Sequence, residues 1–208
     1  MRVVVPFAAE QPKTRLDGFL TPSERRAFAR AMLLDVLAAI RETGNDPELL
    51  TTAPVDIDAP TTVNERPLTA AVNAIVETTS PIAVVMADLP LATPAALAGL
   101  FAAEGEVVLA PGRGGGTNAF VARHPGFRVD YHGTSYCDHR ERAHRIGASV
   151  ETVDSFRLGT DIDERADLAE VLVHGDGRAR AWLDRAGVRL SHEGGRVGVT
   201  RTEHDENG

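Results

Sequence analysis

Three short apolar runs, each halted by proline, constrain this chain most. Arg2-Val3-Val4-Val5 stops at Pro6. Ile82-Ala83-Val84-Val85-Met86 stops at Asp88-Leu89-Pro90, and Glu106-Val107-Val108-Leu109-Ala110 stops at Pro111-Gly112. Continuous rather than alternating apolarity predicts strands covered on both faces, as in a mainly parallel sheet. Helical patterns fill the intervals. Thr21-Pro22-Ser23-Glu24 carries Pro at a first helical position and Glu at capping-box spacing. From there a helix is predicted to about Thr43, with Phe28, Met32, Val36 and Ile40 four apart on one face, closed by Gly44-Asn45-Asp46-Pro47. Further helices are predicted from about Leu68 to Glu77, after Thr93-Pro94, and from about Tyr136 to Ile146. Weaker strands are expected over Ala119–Ala122 and Ser149–Val153. Only apolar runs, without a defined element, are read at 48 to 57. Alternating strands and helices imply an α/β fold.

At 208 residues, 43% hydrophobic and 25% charged, the chain suits one domain, expected over 1–200, with a polar, frayed tail over 201–208. No run of eighteen apolar residues and no secretory pattern is present, so a cytoplasmic protein without a membrane partner is expected. The net charge of −8 argues against nucleic acid. Cys137 stands alone, the histidines fit no zinc spacing, and GxSxG, Walker and GxGxxG motifs are all missing.

Ligands of open α/β sheets bind beyond the carboxyl ends of the strands. Polar clusters fall there at 6–15, 87–90, 111–118 and 159–164. The first holds Lys13, the only lysine among 22 basic residues, together with Arg15. An ammonium is a compact point charge for phosphate, so the pair suits a polyphosphate, although a solvated charged loop would read the same way. Asp88 follows a buried strand, where it either holds Mg²⁺ or caps a turn. Asp161 and Asp163, two apart, share a face in extended backbone and offer hard oxygens to the same ion; Asp163 is equally placed to cap a helix starting at Glu164. Thr117 and Asn118 follow the glycine-rich turn 112–116. Gly133 and Ser135 precede a helix whose N-terminus suits an anion.

Taken in order, Pro6…Lys13-Thr14-Arg15-Leu16, Ser23-Glu24-Arg25-Arg26…Met32-Leu33-Leu34-Asp35, Asn73-Ala74, Ala87-Asp88-Leu89-Pro90, Gly115-Gly116-Thr117-Asn118, Gly133-Thr134-Ser135-Tyr136…His139 and Asp161-Ile162-Asp163-Glu164 resemble the 2-phospho-L-lactate guanylyltransferases of coenzyme F-420 biosynthesis. The resemblance spans about residues 3 to 170. It implies a three-layer, Rossmann-like nucleotide-diphospho-sugar transferase fold and the joining of GTP to (2S)-2-phospholactate with release of pyrophosphate. It also implies Mg²⁺ as cofactor and a homodimer. Phosphoenolpyruvate or 3-phosphoglycerate replaces phospholactate in some relatives. On this reading Pro6, Phe7, Lys13, Arg15 and Asn73 bind GTP, with Lys13 and Asp88 catalytic. Asp88, Asp161 and Asp163 hold Mg²⁺, and Thr117, Asn118, Gly133 and Ser135 hold the acceptor phosphate. Where relatives often carry a further basic residue after Pro6, this chain has Phe7-Ala8-Ala9. A molybdopterin or sugar-phosphate nucleotidyltransferase is the competing enzyme, disfavoured by the missing LxxGxGxR-like loop. A catalytically dead nucleotide-binding module is the competing non-enzyme.

Overall fold

A computed structural model of the chain describes residues 1–10, 12–192 and 197–201. Gln11 of the 6–15 cluster and residues 202–208 of the expected tail lie outside the described residues. The expected tail began at Arg201, and that residue instead closes a strand.

The elements run β1 (Arg2–Phe7), α1 (Pro22–Glu42), β2 (Pro47–Thr51), β3 (Thr61–Val63), α2 (Leu68–Val76), β4 (Ile82–Val85), α3 (Pro94–Ala102), β5 (Val107–Pro111), β6 (Thr117–Ala122), α4 (Ser135–Arg145) and β7 (Val150–Thr152). They continue with α5 (Phe156–Gly159), α6 (Leu168–His174), α7 (Arg178–Arg185), β8 (Val188–Ser191) and β9 (Gly198–Arg201). Seven strands form one sheet in the order β3-β2-β1-β4-β6-β5-β7. All neighbours pair in parallel except β6, which runs antiparallel to both β4 and β5. The predicted α/β class with a mainly parallel sheet is what the chain adopts.

Helices cover both faces, as continuous apolar strands require. Val3, Val5, Ala83, Val85, Val108, Ala119 and Val121 meet α1, α3 and α5–α7; Val4, Ile82, Val84, Leu109 and Phe120 meet α2 and α4. The start of α1 is set by a true capping box: the Glu24 amide donates to Thr21 Oγ1, and the Thr21 amide to Glu24 Oε2 at 2.9 Å. It ends at Gly44, whose φ of 79° suits glycine alone. Phe28, Met32, Val36 and Ile40 are fully buried as their spacing predicted, each stabilising by roughly 1.5–3 kcal/mol.

Beyond 153 the sequence offers only a candidate helix start at Glu164. Here α7 packs onto α1, while α6 and the β8–β9 hairpin pack against α7 and each other. Phe28 and Trp182 bring their rings to 5.2 Å, and Arg201 on β9 forks onto Glu24 at the start of α1. No helix among the described residues is long and apolar enough to cross a membrane.

One irregularity matters for the site. Between Ala110 and Pro111 the β5–β6 register shifts: Ala110 pairs with Ala119, but Pro111 pairs with Thr117. Asn118 is the extra residue of that bulge.

Candidate active site

The loop after β1 delivers Lys13 in an unusual conformation. Its φ of 57° and ψ of 44° lie in the left-handed region, and among the described residues it is the only non-glycine with positive φ. Such a residue persists only where its surroundings over-determine it. Leu16, fully buried, anchors the single 3-10 turn that follows, whose first hydrogen bond runs from the Leu16 amide to the Lys13 carbonyl at 3.0 Å. Lys13 is thereby turned inward, its side chain 9% exposed.

Two carboxylates receive it. Lys13 Nζ lies 2.7 Å from Asp88 Oδ2 and 2.7 Å from Asp163 Oδ1. Burial works against the charged ammonium, but the two carboxylates outweigh it and hold its pKa above the ordinary lysine value. Asp88 sits beyond β4, and its carbonyl accepts from the Ile162 amide at 3.1 Å. That bond, with Ile162 fully buried, ties the 159–164 segment to the end of β4. The Asp163 carboxylate therefore faces Lys13 and does not cap a helix; Glu164 and Asp167 make the reciprocal cap there.

Asp161 completes the group. Asn118 Nδ2 donates to Asp161 Oδ1 and to the Leu158 carbonyl, both at 3.0 Å. Gly112 makes room for that amide, since a Cβ at this position would stand 2.5 Å from Asn118 Oδ1. Burial pushes the Asp161 pKa up, opposed by the Asn118 hydrogen bond and reinforced by Asp88 and Asp163. Arg15 remains at the rim, its side chain 67% exposed and 3.6 Å from Asp163.

Hard cations fit this donor set. Asp88 Oδ1 is buried with no hydrogen-bond partner among the described residues, leaving a carboxylate oxygen available to a metal. No three carboxylate, imidazole or thiol groups among the described residues converge at metal-binding distance. Lys13 stands between two of the expected ligands. Mg²⁺ is commonly held by one or two carboxylates plus substrate phosphates, so an incomplete protein shell suits an ion arriving with a nucleotide.

Two adjoining hollows open beside these groups. One, about 200 Å³, is lined by Pro6, Phe7, Ala8, Lys13, Met86 and Asp88. The other, about 170 Å³, shares Pro6, Phe7, Ala8 and Met86 and adds Leu50, Thr51, Asn64, Arg66, Leu68 and Ala71. Thr51, Asn64 and Arg66 were absent from the sequence-based site. The one available signal was that Thr51 ends β2, a strand parallel to β1.

Other expected site residues turn out to be engaged elsewhere. The Asn73 amide is used at both ends by Val129, donating to its carbonyl and accepting from its amide at 2.9 Å. It clamps the chain beyond β6 and has little left for a nucleoside. Thr117 Oγ1 pairs with His139 Nδ1 at 2.9 Å, and Ser135 Oγ accepts from the Thr117 amide at 3.1 Å. Both hydroxyls are buried. The first amides of α4 are also spent, on the carbonyls of His132, Gly115 and Thr134. A phosphate at that helix start would have to displace internal bonds, while Gly133 lies exposed in the turn before it. His139 Nε2 accepts from the Asp130 amide at 2.7 Å, so the neutral ring carries its proton on Nδ1 and donates to Thr117. Burial holds its pKa down at about 4.

Comparison with known proteins places this geometry in context. Residues 1–202 match the family described as "Guanylyl transferase CofC like". The 2-phospho-L-lactate guanylyltransferase of Halomicrobium mukohataei is 62% identical over 202 residues, covering 97% of this chain and 100% of that protein. Its counterpart from Halorubrum lacusprofundi is 58% identical over 216 residues, with 97% and 100% covered. Among solved structures, a nucleotidyl transferase from Methanothermobacter aligns with TM-score 0.58 at 15% identity, covering 83% of this chain and 97% of that one. A structure from Desulfovibrio desulfuricans assigned to the nucleotide-diphospho-sugar transferases reaches 0.70 at 15% identity, with 88% and 93% covered. At such identity these likenesses show the fold, which is nucleotidyltransferase-like.

Proposed function

Because the chain belongs to the CofC-like guanylyl transferase family, we propose that it joins GTP to (2S)-2-phospholactate. The products are (2S)-lactyl-2-diphospho-5′-guanosine and pyrophosphate, a step toward coenzyme F-420. The observation carrying this reading is the buried Lys13 held between Asp88 and Asp163, next to an unpartnered Asp88 oxygen, at the mouth of a cleft.

Chemically, a phosphate oxygen of phospholactate attacks the α-phosphorus of GTP. The new P–O bond forms as the bond to the β-phosphate bridging oxygen breaks, and pyrophosphate departs with that electron pair. The attacking phosphate is already ionised near neutral pH, so no general base is required. What the protein must do is hold two anions in line and neutralise their charge. Lys13 meets the triphosphate with its ammonium, and Arg15 adds a second cation from the rim. Asp88 and Asp161 would hold Mg²⁺, which when bound neutralises phosphate charge. Asp163 orients Lys13. Asn118 fixes the Asp161 carboxylate, acting as a positioning residue rather than an acceptor-phosphate ligand.

The test is pyrophosphate release from GTP with (2S)-2-phospholactate, phosphoenolpyruvate and 3-phosphoglycerate in parallel, with and without Mg²⁺, and product mass by spectrometry. Mg²⁺-dependent release with phospholactate as the preferred acceptor is expected. No release with any of the three acids would overturn the reading.

A further inference from the structure

The second hollow is built unlike the first. Its walls are apolar, from Pro6, Leu50, Leu68, Ala71 and Met86, and its polar groups gather on one side, at the ends of β2 and β3. Mostly apolar walls with a few convergent polar groups suit a heteroaromatic ring. Two of those polar groups, Thr51 and Arg66, have hydrogen-bonding capacity to spare. Thr51 Oγ1 is buried, the residue 1% exposed, and has no partner among the described residues. An unmade hydrogen bond at a buried hydroxyl costs stability, so its presence in the lining points to an absent partner. Arg66 donates through Nε to Asn64 Oδ1 at 3.1 Å, and the Arg66 amide donates to the same oxygen at 3.1 Å. Asn64 is itself pinned, its amide donating to the Thr51 carbonyl at 2.7 Å. This chain of bonds fixes the root of the guanidinium and leaves its two terminal nitrogens without a partner among the described residues.

We infer that this hollow is the nucleobase site and that Arg66, steadied by Asn64, selects guanine by donating to its O6 and N7, while Thr51 Oγ1 accepts from its 2-amino group. The inference rests on the guanylyl-transfer reading and deepens it. A guanidinium only donates, and guanine presents two acceptors side by side on that edge. Adenine places an amino group where guanine has O6, so donor would face donor. The shared lining at Phe7 and Met86 puts the base beside the cleft that holds Lys13 and Asp88, as one nucleotide requires.

Equilibrium binding of nucleotides without acceptor tests this independently of turnover. The probes are GTP, ATP, 7-deaza-GTP, which lacks N7, and ITP, which lacks the 2-amino group. The unmodified protein is expected to bind GTP about tenfold to hundredfold more tightly than ATP, and more tightly than 7-deaza-GTP or ITP. Arg66→Ala should weaken both, GTP more because it loses the N7 contact as well as the O6 one, so that GTP and 7-deaza-GTP bind alike. Thr51→Val removes an unpartnered hydroxyl, so the fold should survive; it should weaken GTP and leave ITP unaffected. An unchanged GTP to 7-deaza-GTP ratio in Arg66→Ala, or an unchanged GTP to ITP ratio in Thr51→Val, overturns the assignment. So does an unmodified protein that binds GTP and ATP equally. Guanine-selective binding without pyrophosphate release would instead defeat the guanylyl-transfer reading and leave this one standing.

Discussion

Lys13 Nζ lies 2.7 Å from Asp88 Oδ2, although 75 residues separate them along the chain. The contact joins the loop after β1 to the end of β4, neighbouring strands of the sheet. Charge alone would allow arginine here, as it does at every other basic position. Shape does not: the side chain is almost wholly enclosed and must point one compact cation at two carboxylates.

Lys13→Arg is therefore expected to keep the fold and lose function. A planar fork cannot occupy the position of an ammonium between Asp88 and Asp163 without moving one of them. Pyrophosphate release should fall by about 10²-fold or more, roughly the scale of losing one well-placed charge contact in the transition state. Unaltered kinetics would make the lone lysine an accident of composition.

Asp88→Asn keeps the side-chain shape and removes its charge. Metal-assisted transfer needs an anionic ligand, so turnover should drop by about 10²-fold or more at saturating Mg²⁺ while the fold survives, with a lowered melting temperature because the buried Lys13 ammonium loses one of its two carboxylates. Near-normal turnover in this variant would remove Asp88 from the metal site.

His139 predicts a pH dependence of stability. Its folded pKa, about 4, lies below the ordinary 6.5 because burial penalises the charged ring. Between these values the unfolded chain binds the proton and the folded one does not. Its contribution is therefore complete above about pH 6.5 and lost as pH falls toward 4. The full difference is roughly 3 kcal/mol. Thermal melts from pH 7 to 4.5 should show a steeper decline in the parent than in His139→Gln, which cannot titrate; parallel curves would contradict the assignment.

Asp35 and Gly177 make a stability prediction away from the cleft. The Asp35 carboxylate caps α7, accepting from the Arg178 and Ala179 amides at 2.7 and 2.8 Å. A Cβ on Gly177 would stand 2.6 Å from that carboxylate. Asp35→Ala should cost about 1–2 kcal/mol, the scale of a lost helix cap. Gly177→Ala should destabilise alone, yet add little on top of Asp35→Ala, because the clash disappears with the carboxylate. Denaturant unfolding of the two single variants and the double variant measures this; additive losses would refute it.

Much of this was legible in the sequence because it is local. Buried strands showed as β-branched runs and α1 showed as a four-residue spacing with a capping box. The strand-end rule then gathered Lys13, Asp88, Asp161 and Asp163 at one edge. What stayed hidden depends on pairing across the fold. The amide of Asn73 could not be known to face Val129, nor the hydroxyls of Thr117 and Ser135 to be spent inside. Thr51, Asn64 and Arg66 lie around β3, three exposed residues with too little pattern to announce a strand. The elements after 153 were missed because they are short and their packing, α7 on α1 and α6 and β8 on α7, is set by contacts across the fold rather than by a long periodic pattern.

The β5–β6 bulge has a consequence for how such a chain can change. By inserting Asn118 as the unpaired residue, it aims that amide at Asp161 and lets Thr117 meet His139 on the opposite face. Deleting residue 118 would give the two strands an unbroken ladder and take away the support of Asp161. Selection for a better-paired sheet and selection for activity pull in opposite directions at this one position, so stabilising substitutions gathered elsewhere in the sheet should leave the irregularity in place.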